Sequence, residues 1–296
     1  SVSPEVADWG QGAANATVFG FYADRKHAGP FEAGTYQLRK NSDLDLVLTT
    51  MAEGPTTPLA ASSTKVSVPE GLTVKALVAR IAEEDPRLTT ADLEAALADG
   101  SVTSTLRPDG QTSWEGVLFP ATYDVGDQMS AADLLDEMSD EMASRVAGLD
   151  PDAAIADIKA RFGVDVTTYD LLIVASLVQA EAGNADEAAK IATVIYNRLG
   201  KGWALGIDAT SKYLAELDGS AIDFDSTSPY NTRRQQGLPP TPIAAPGDYA
   251  LDAAFRPAAG PWMYYVLTDP GSHTFVVTDA EFAAAKQVCI DKGLGC

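Results

Sequence analysis

The stretch Thr168-Tyr169-Asp170-Leu171-Leu172-Ile173-Val174-Ala175-Ser176-Leu177-Val178-Gln179-Ala180-Glu181-Ala182-Gly183-Asn184 decides how this chain is read. Val174, Leu177 and Val178 recur at helical spacing and mark a buried face, and Glu181 continues that face seven residues after Val174. A carboxylate is thereby aimed where burial expects a leucine. Gln179 is rotated roughly 200° from Glu181, at about 100° per residue, so the two do not share a face. Gly183-Asn184 ends the helix through its permissive backbone and leaves Glu181 in the last turn. Partial burial and the negative end of the helix dipole both disfavour the anion, which predicts a pKa raised toward the range useful to a general acid. The competing reading is a solvated residue at a fraying helix end.

Working outward, Ser130 opens a helix to about Val146, Asp150-Pro151 opens another to Phe162, and Thr167 or Thr168 caps the helix of Glu181. Asn184 to Leu199 follows as a further helix. Pro229 to Asp248 is too rich in proline for regular structure. Tyr264-Tyr265-Val266 and Thr274-Phe275-Val276-Val277 predict a strand pair around a turn at Asp269-Pro270-Gly271. The N-terminal third is mixed. Gly34 to Leu38 alternates as a strand, Asp43 to Met51 suits a short helix, and Gly54 to Thr64 is a loop. A strand at Lys65 to Val68 leads to a helix capped by Thr73, with Val74, Leu77, Val78 and Ile81 on its apolar face. A second helix, capped by Thr89 or Thr90, runs to Gly100. The polar segment Pro108 to Ser113 marks a boundary, giving an α+β chain with a lobe at 1–113 and a larger domain at 114–296.

The chain has 296 residues, 46% of them hydrophobic, enough to bury a sizeable core. Its 42 acidic residues against 21 basic ones give a net charge of −21, which would repel a polyanion and excludes nucleic acid as a partner. No apolar run approaches the ~20 residues that span a bilayer. No signal-like segment follows Ser1, so a targeting or anchoring segment is expected to lie outside this chain. Cys289 and Cys296 are the two cysteines, at a spacing that suits a local disulfide in an oxidising compartment; two idle thiols are the alternative. His27 and His273 lie far apart with no ligand cluster beside either, so no metal site is expected.

Several motifs, in order along the chain, resemble one family. They are Ala33-Gly34-Thr35-Tyr36, Val68-Pro69-Glu70-Gly71-Leu72-Thr73-Val74, Glu115-Gly116-Val117-Leu118-Phe119-Pro120-Ala121-Thr122-Tyr123, and Ala175 to Gly183 with Ala192-Thr193-Val194-Ile195-Tyr196-Asn197-Arg198-Leu199. Asp208-Ala209-Thr210, Tyr230-Asn231-Thr232, Gly237-Leu238-Pro239-Pro240-Thr241-Pro242-Ile243 and His273-Thr274-Phe275 complete the series. Together they resemble the MltG (YceG-like) endolytic transglycosylases. The resemblance implies a small LysM-like α/β lobe, incomplete at its start, followed by a mixed helical and strand YceG-like catalytic domain. It implies cleavage of the MurNAc–GlcNAc bond inside peptidoglycan glycan strands, leaving 1,6-anhydro-MurNAc ends, without metal or cofactor. It further implies an extracytoplasmic envelope location, membrane anchoring by an absent N-terminal segment, and peptidoglycan synthases or divisome proteins as partners.

The family's catalytic glutamate falls on Glu181. Expected substrate-binding residues are Glu115, Asn197, Asp208, Thr210, Tyr230, Asn231 and His273. Glu115 would bond sugar or orient Glu181, or else stabilise a turn through backbone amides. Asn197 and Asn231 suit hydroxyl and acetamido groups, and Tyr230 offers a face to a pyranose ring. Their alternatives are a helix-end residue for Asn197 and a packed loop anchor for Tyr230. Asp208-Ala209-Thr210 is either a cleft loop or an N-cap. The chain departs from the pattern at Gln179, where many relatives carry a glutamate, at Ala121 in place of aspartate, and at Gly206-Ile207, where a polar pair is common. Two other functions remain open at this level, a non-catalytic peptidoglycan-binding or divisome scaffold and a hydrolase pairing Glu181 with Glu115 or Asp208.

Overall fold

A computed structural model describes residues 22–23, 25–31, 34–38, 42–54, 56–58 and 63–295. The elements in chain order are β1 (Gly34–Thr35), α1 (Leu44–Ala52), β2 (Thr57–Pro58), β3 (Ser63–Ser67), α2 (Val74–Glu84), α3 (Thr90–Asp99) and β4 (Thr122–Gly126). They continue with α4 (Ala131–Gly148), α5 (Pro151–Phe162), α6 (Thr168–Glu181), α7 (Ala185–Gly200), α8 (Asp208–Asp218), α9 (Asp248–Phe255), β5 (Tyr264–Asp269), β6 (Ser272–Val276) and α10 (Asp279–Asp291). Among the described residues the strands pair as β1-β2, β3-β4 and β5-β6, so the fold is α+β, with helices carrying the core.

Compactness divides the chain into Ser1–Ser63 and Thr64–Cys296, not at the expected Pro108–Ser113 boundary. Leu77, Leu93 and Val102 belong to the same buried cluster as Leu118, Leu134 and Leu172. Trp114 ties the expected boundary down, donating its indole N–H to the Leu97 carbonyl at 2.7 Å beneath the Arg107 guanidinium. In the first unit Ala23, Val47 and Leu48 are buried together. Asp43 caps α1 by accepting the Leu46 N–H, while the expected strand at Gly34 to Leu38 shortens to two residues paired antiparallel with Thr57–Pro58. Ala33 and, within the expected loop, residues 55 and 59–62 lie outside the described residues.

In the second unit, α6 is buried on every side. Tyr169 and every residue from Leu171 to Val178 are buried, because α7, α8 and α9 pack around the helix. The expected single buried face is therefore too narrow; the uninterrupted run Leu171 to Val178 is the signal of a central helix. Thr167, not Thr168, caps it, in a reciprocal box with Asp170. Thr89 likewise caps α3. Ser176 and Gln179, two polar groups that α6 carries inward, are satisfied, whereas the buried Tyr169 hydroxyl has no hydrogen-bond partner among the described residues. The Ser176 hydroxyl donates to the Ile173 carbonyl and accepts the Ile243 N–H at 3.0 Å, and Gln179 accepts the Gly247 N–H at 3.0 Å. Truncating Leu172 or Leu177 to alanine would cost about 2–5 kcal/mol.

The end of α6 differs in mechanism from the sequence expectation. Ala182 turns extended, at φ −73° and ψ 120°, and no left-handed glycine is used. Gly183 serves instead for close approach, since a Cβ there would sit 3.2 Å from the Gly271 carbonyl oxygen. Asn184 donates to the same carbonyl at 3.0 Å. The β5–β6 turn is thereby pinned against the corner that follows Glu181. Cys289, on α10, is fully buried and disulfide-bonded; Cys296, the other cysteine in the sequence, lies outside the described residues. Among the described residues, no helix is long and apolar enough to cross a membrane.

Candidate active site

Glu181 closes α6 in a cleft of about 390 Å³, lined also by Arg198, Gly206, Asp208, Lys212, Arg233, Tyr265 and His273. The site is convergent: α6 ends there, α8 begins there, and β5 crosses it. Tyr265 donates its phenolic O–H to Oε2 of Glu181 at 3.0 Å. The Ala209 N–H, in the first turn of α8, also points at the carboxyl. Burial pushes the Glu181 pKa up and is the largest cause; the Asp208 charge adds to it. The Tyr265 and Ala209 bonds and the Lys212 charge pull the other way without reversing it. The negative end of α6 is thus met by the positive end of α8, and burial, not the dipole, raises Glu181.

Asp208 is the second carboxylate in the cleft, held at both oxygens by Arg233, at 2.6 Å from Nε and 2.8 Å from Nη2. It opens α8 without a side-chain capping bond, so the capping alternative does not describe it. His273 lines the same cleft, its Nδ1 2.7 Å from Oε2 of Glu187. Arg198 directs its guanidinium to the carbonyls of Met263, Ala204 and Leu205, bracing the cleft floor. Lys212 and Lys286 reach the cleft as exposed cations with no ion pair among the described residues, a local reversal of sign in a chain of net charge −21. Among the described residues no group of three metal-ligating side chains is assembled.

Of the residues expected from sequence, the structure brings Glu181, Asp208 and His273 together and sets the others apart from the cleft lining. Glu115 is 4% exposed and accepts the Val74 N–H at 3.0 Å, which makes it the anchor of the α2 N-terminus. Burial pushes its carboxyl up to about 7, with the Val74 and Tyr213 bonds pulling down. Asn197 donates to the Gly260 and Trp262 carbonyls, at 3.2 and 2.8 Å. Asn231 is fully buried and donates to the Phe224 and Ser226 carbonyls, at 2.9 and 2.7 Å, while accepting the Arg233 N–H. The Thr210 hydroxyl, also fully buried, sits 3.1 Å from that of Thr232 and stitches α8 to the loop at Asn231. Tyr230 bonds Thr241 at 2.8 Å and packs its ring against Tyr213, the loop-anchor alternative. Arg233, two residues past Asn231, is what this proline-rich segment sends into the cleft.

Sequence reasoning missed Tyr265, Arg233, Lys212 and Glu187. The alternation of β5 was visible, but which face meets Glu181 depends on the hairpin register, Tyr265 opposite Phe275. Glu187 was masked by its capping position, three residues after Asn184, whose side chain accepts its N–H.

Comparisons with known proteins identify the family and the fold. The sequence profile of the YceG-like family matches residues 10–288. The chain belongs to the YceG-like family. A relative from Bacillus subtilis (strain 168), named endolytic murein transglycosylase, is 31% identical over 287 residues, covering 91% of this chain and 76% of the relative. A Streptococcus pneumoniae protein of the same name (serotype 2, strain D39 / NCTC 7466) is 27% identical over 84% of this chain, which spans 49% of that longer protein. The crystal structure of a YceG-like protein from Listeria monocytogenes superposes with a TM-score of 0.60 at 27% identity, covering 91% of this chain and 90% of that one. This YceG-like chain thus carries the family's fold across nearly its whole length.

Proposed function

We propose that this chain is an endolytic murein transglycosylase, with Glu181 as the one group that gives and retakes the proton. The observation that carries the reading is the state of the cleft carboxylates. Burial raises the Glu181 pKa above its ordinary value and so favours the protonated acid, while Asp208 is clamped at both oxygens by Arg233. A hydrolase needs a second carboxyl free to attack or to activate water. A transglycosylase does not, because the C6 hydroxyl of the substrate sugar is its own nucleophile. Glu181 protonates the glycosidic oxygen as the C1–O4 bond breaks. O6 then bonds C1, and its proton returns to the Glu181 carboxylate, so no water is consumed. Tyr265 and the Ala209 N–H stabilise that carboxylate between the two transfers. The exposed Lys212 and Lys286 suit the carboxylates of peptide stems beside the glycan.

Peptidoglycan as substrate places the action in the cell envelope, and a disulfide at Cys289 suits its oxidising side. Membrane anchoring, glycan binding by a LysM-like N-terminal lobe, and synthase or divisome partners rest on the family resemblance. The test is Glu181→Gln, which keeps the shape and removes the proton. Release of strand fragments should fall at least 10²–10⁴-fold, with the melting temperature kept. A variant cleaving at near-parental rate would overturn the assignment.

A further inference from the structure

Glu187 takes no part in the chemistry above, yet both of its oxygens are occupied by the start of β6. Oε1 accepts the Ser272 hydroxyl at 3.0 Å and the His273 N–H at 2.8 Å, and Oε2 meets His273 Nδ1 at 2.7 Å. The Glu187 and His273 side chains are 9% and 11% exposed. Burial alone would raise Glu187, but the bonds from the His273 ring, the His273 N–H and Ser272 outweigh it and hold the carboxyl below its ordinary range. Its place in the first turn of α7 also favours the anion. A carboxylate has no proton to share, so the proton in its bond to the imidazole sits on Nδ1. Among the described residues the opposite ring nitrogen, Nε2, has no hydrogen-bond partner, and the ring lines the cleft that holds Glu181. Tyr265, the donor to Glu181, lies edge-on to the imidazole, with centroids 5.5 Å apart at 87°.

We propose that Glu187 is a positioning residue that locks His273 with its proton on Nδ1, so that Nε2 faces the cleft as a lone-pair acceptor for a hydroxyl or acetamido N–H of the glycan. The inference rests on the glycan-cleaving reading and adds to it a second recognition point across the cleft from Glu181. Glu187 acts through His273, not on substrate. The variant that separates this from a scaffolding role is Glu187→Gln. Its amide oxygen still accepts from Ser272 and the His273 N–H, while its amide nitrogen donates to Nδ1 and drives the proton to Nε2.

The experiment is nitrogen NMR on isotopically labelled histidine, made tractable because His27 is the other histidine in the chain, and a His27→Gln variant assigns the signals. In the parent at neutral pH, His273 should show a protonated Nδ1 and a bare Nε2; in Glu187→Gln the two should exchange. Glycan turnover should fall about tenfold, the worth of one substrate bond facing a donor in place of an acceptor. In a His273→Ala background, Glu187→Gln should produce no further loss, since the effect passes through the ring. A parent ring protonated at Nε2, as the neutral tautomer or as imidazolium, would overturn the proposal, as would additive losses in the double variant. A parent that releases no glycan fragments would instead defeat the glycan-cleaving reading, leaving the tautomer measurement to judge the dyad.

Discussion

The cleft at Glu181 and the loops knotted by Asn197, Thr210 and Asn231 carry the same kinds of polar side chain, and they use them in opposite ways. In the loops every donor is taken up by the chain itself. Asn231 bridges two carbonyls while fully buried, and Asn197 holds two more. In the cleft, Nε2 of His273, Lys212 and Lys286 have no hydrogen-bond or ion-pair partner among the described residues, and Glu181 sits half-buried where burial favours its proton. The difference teaches that motif membership marks a residue as important to the site without saying whether it touches substrate. Residues whose hydrogen bonds close internally build the walls; those left partly open do the chemistry.

The comparison can be broken from its structural side first. Asn231→Ala leaves the Phe224 and Ser226 carbonyls without their donor, and should lower unfolding free energy by about 2–4 kcal/mol in denaturant titration. Unchanged stability with lost turnover would return Asn231 to the substrate. Glu115 is next. Its folded-state pKa of about 7 lies above the ordinary glutamate value, so its contribution to stability is full below that ordinary value and is lost as pH rises through 7. The parent should lose about 1–3 kcal/mol across that window relative to Glu115→Gln, which carries no titrating group. Parallel stability curves would refute the buried-anchor role.

The α6 helix and its terminal glutamate were legible because a capping residue, a long apolar run and a misplaced carboxylate sit within one short segment. The helix starts at Thr73 and Ser130 were legible for the same local reason. Helices α9 and α10 were not, since their burial depends on elements distant in sequence. Asn197 looked like a sugar ligand because its partners, the carbonyls of Gly260 and Trp262, lie 63 and 65 residues away. Tyr265 was hidden likewise, 84 residues from the carboxyl it bonds.

Two smaller effects sharpen the line between wall and cleft. Tyr230→Phe removes only the bond to Thr241, so it should cost about 1 kcal/mol of stability and leave turnover unchanged. A drop in turnover without one in stability would place its hydroxyl on the glycan. Tyr265→Phe removes a bond that favours the Glu181 carboxylate. Activity requires the protonated acid and is lost as pH rises through its pKa, so the alkaline limb of the parent should lie above that of an ordinary glutamate and move higher still in this variant. An alkaline limb that stays in place would detach Tyr265 from the acid.

The most direct test of the central claim is to digest purified glycan strands with the parent protein in oxygen-labelled water and weigh the new ends by mass spectrometry. A lone carboxyl assisted by the substrate's own C6 hydroxyl predicts anhydro ends, one water lighter than reducing ends and free of label. Reducing ends carrying the label would show that water is the nucleophile, and would require Asp208 to act despite its clamp by Arg233.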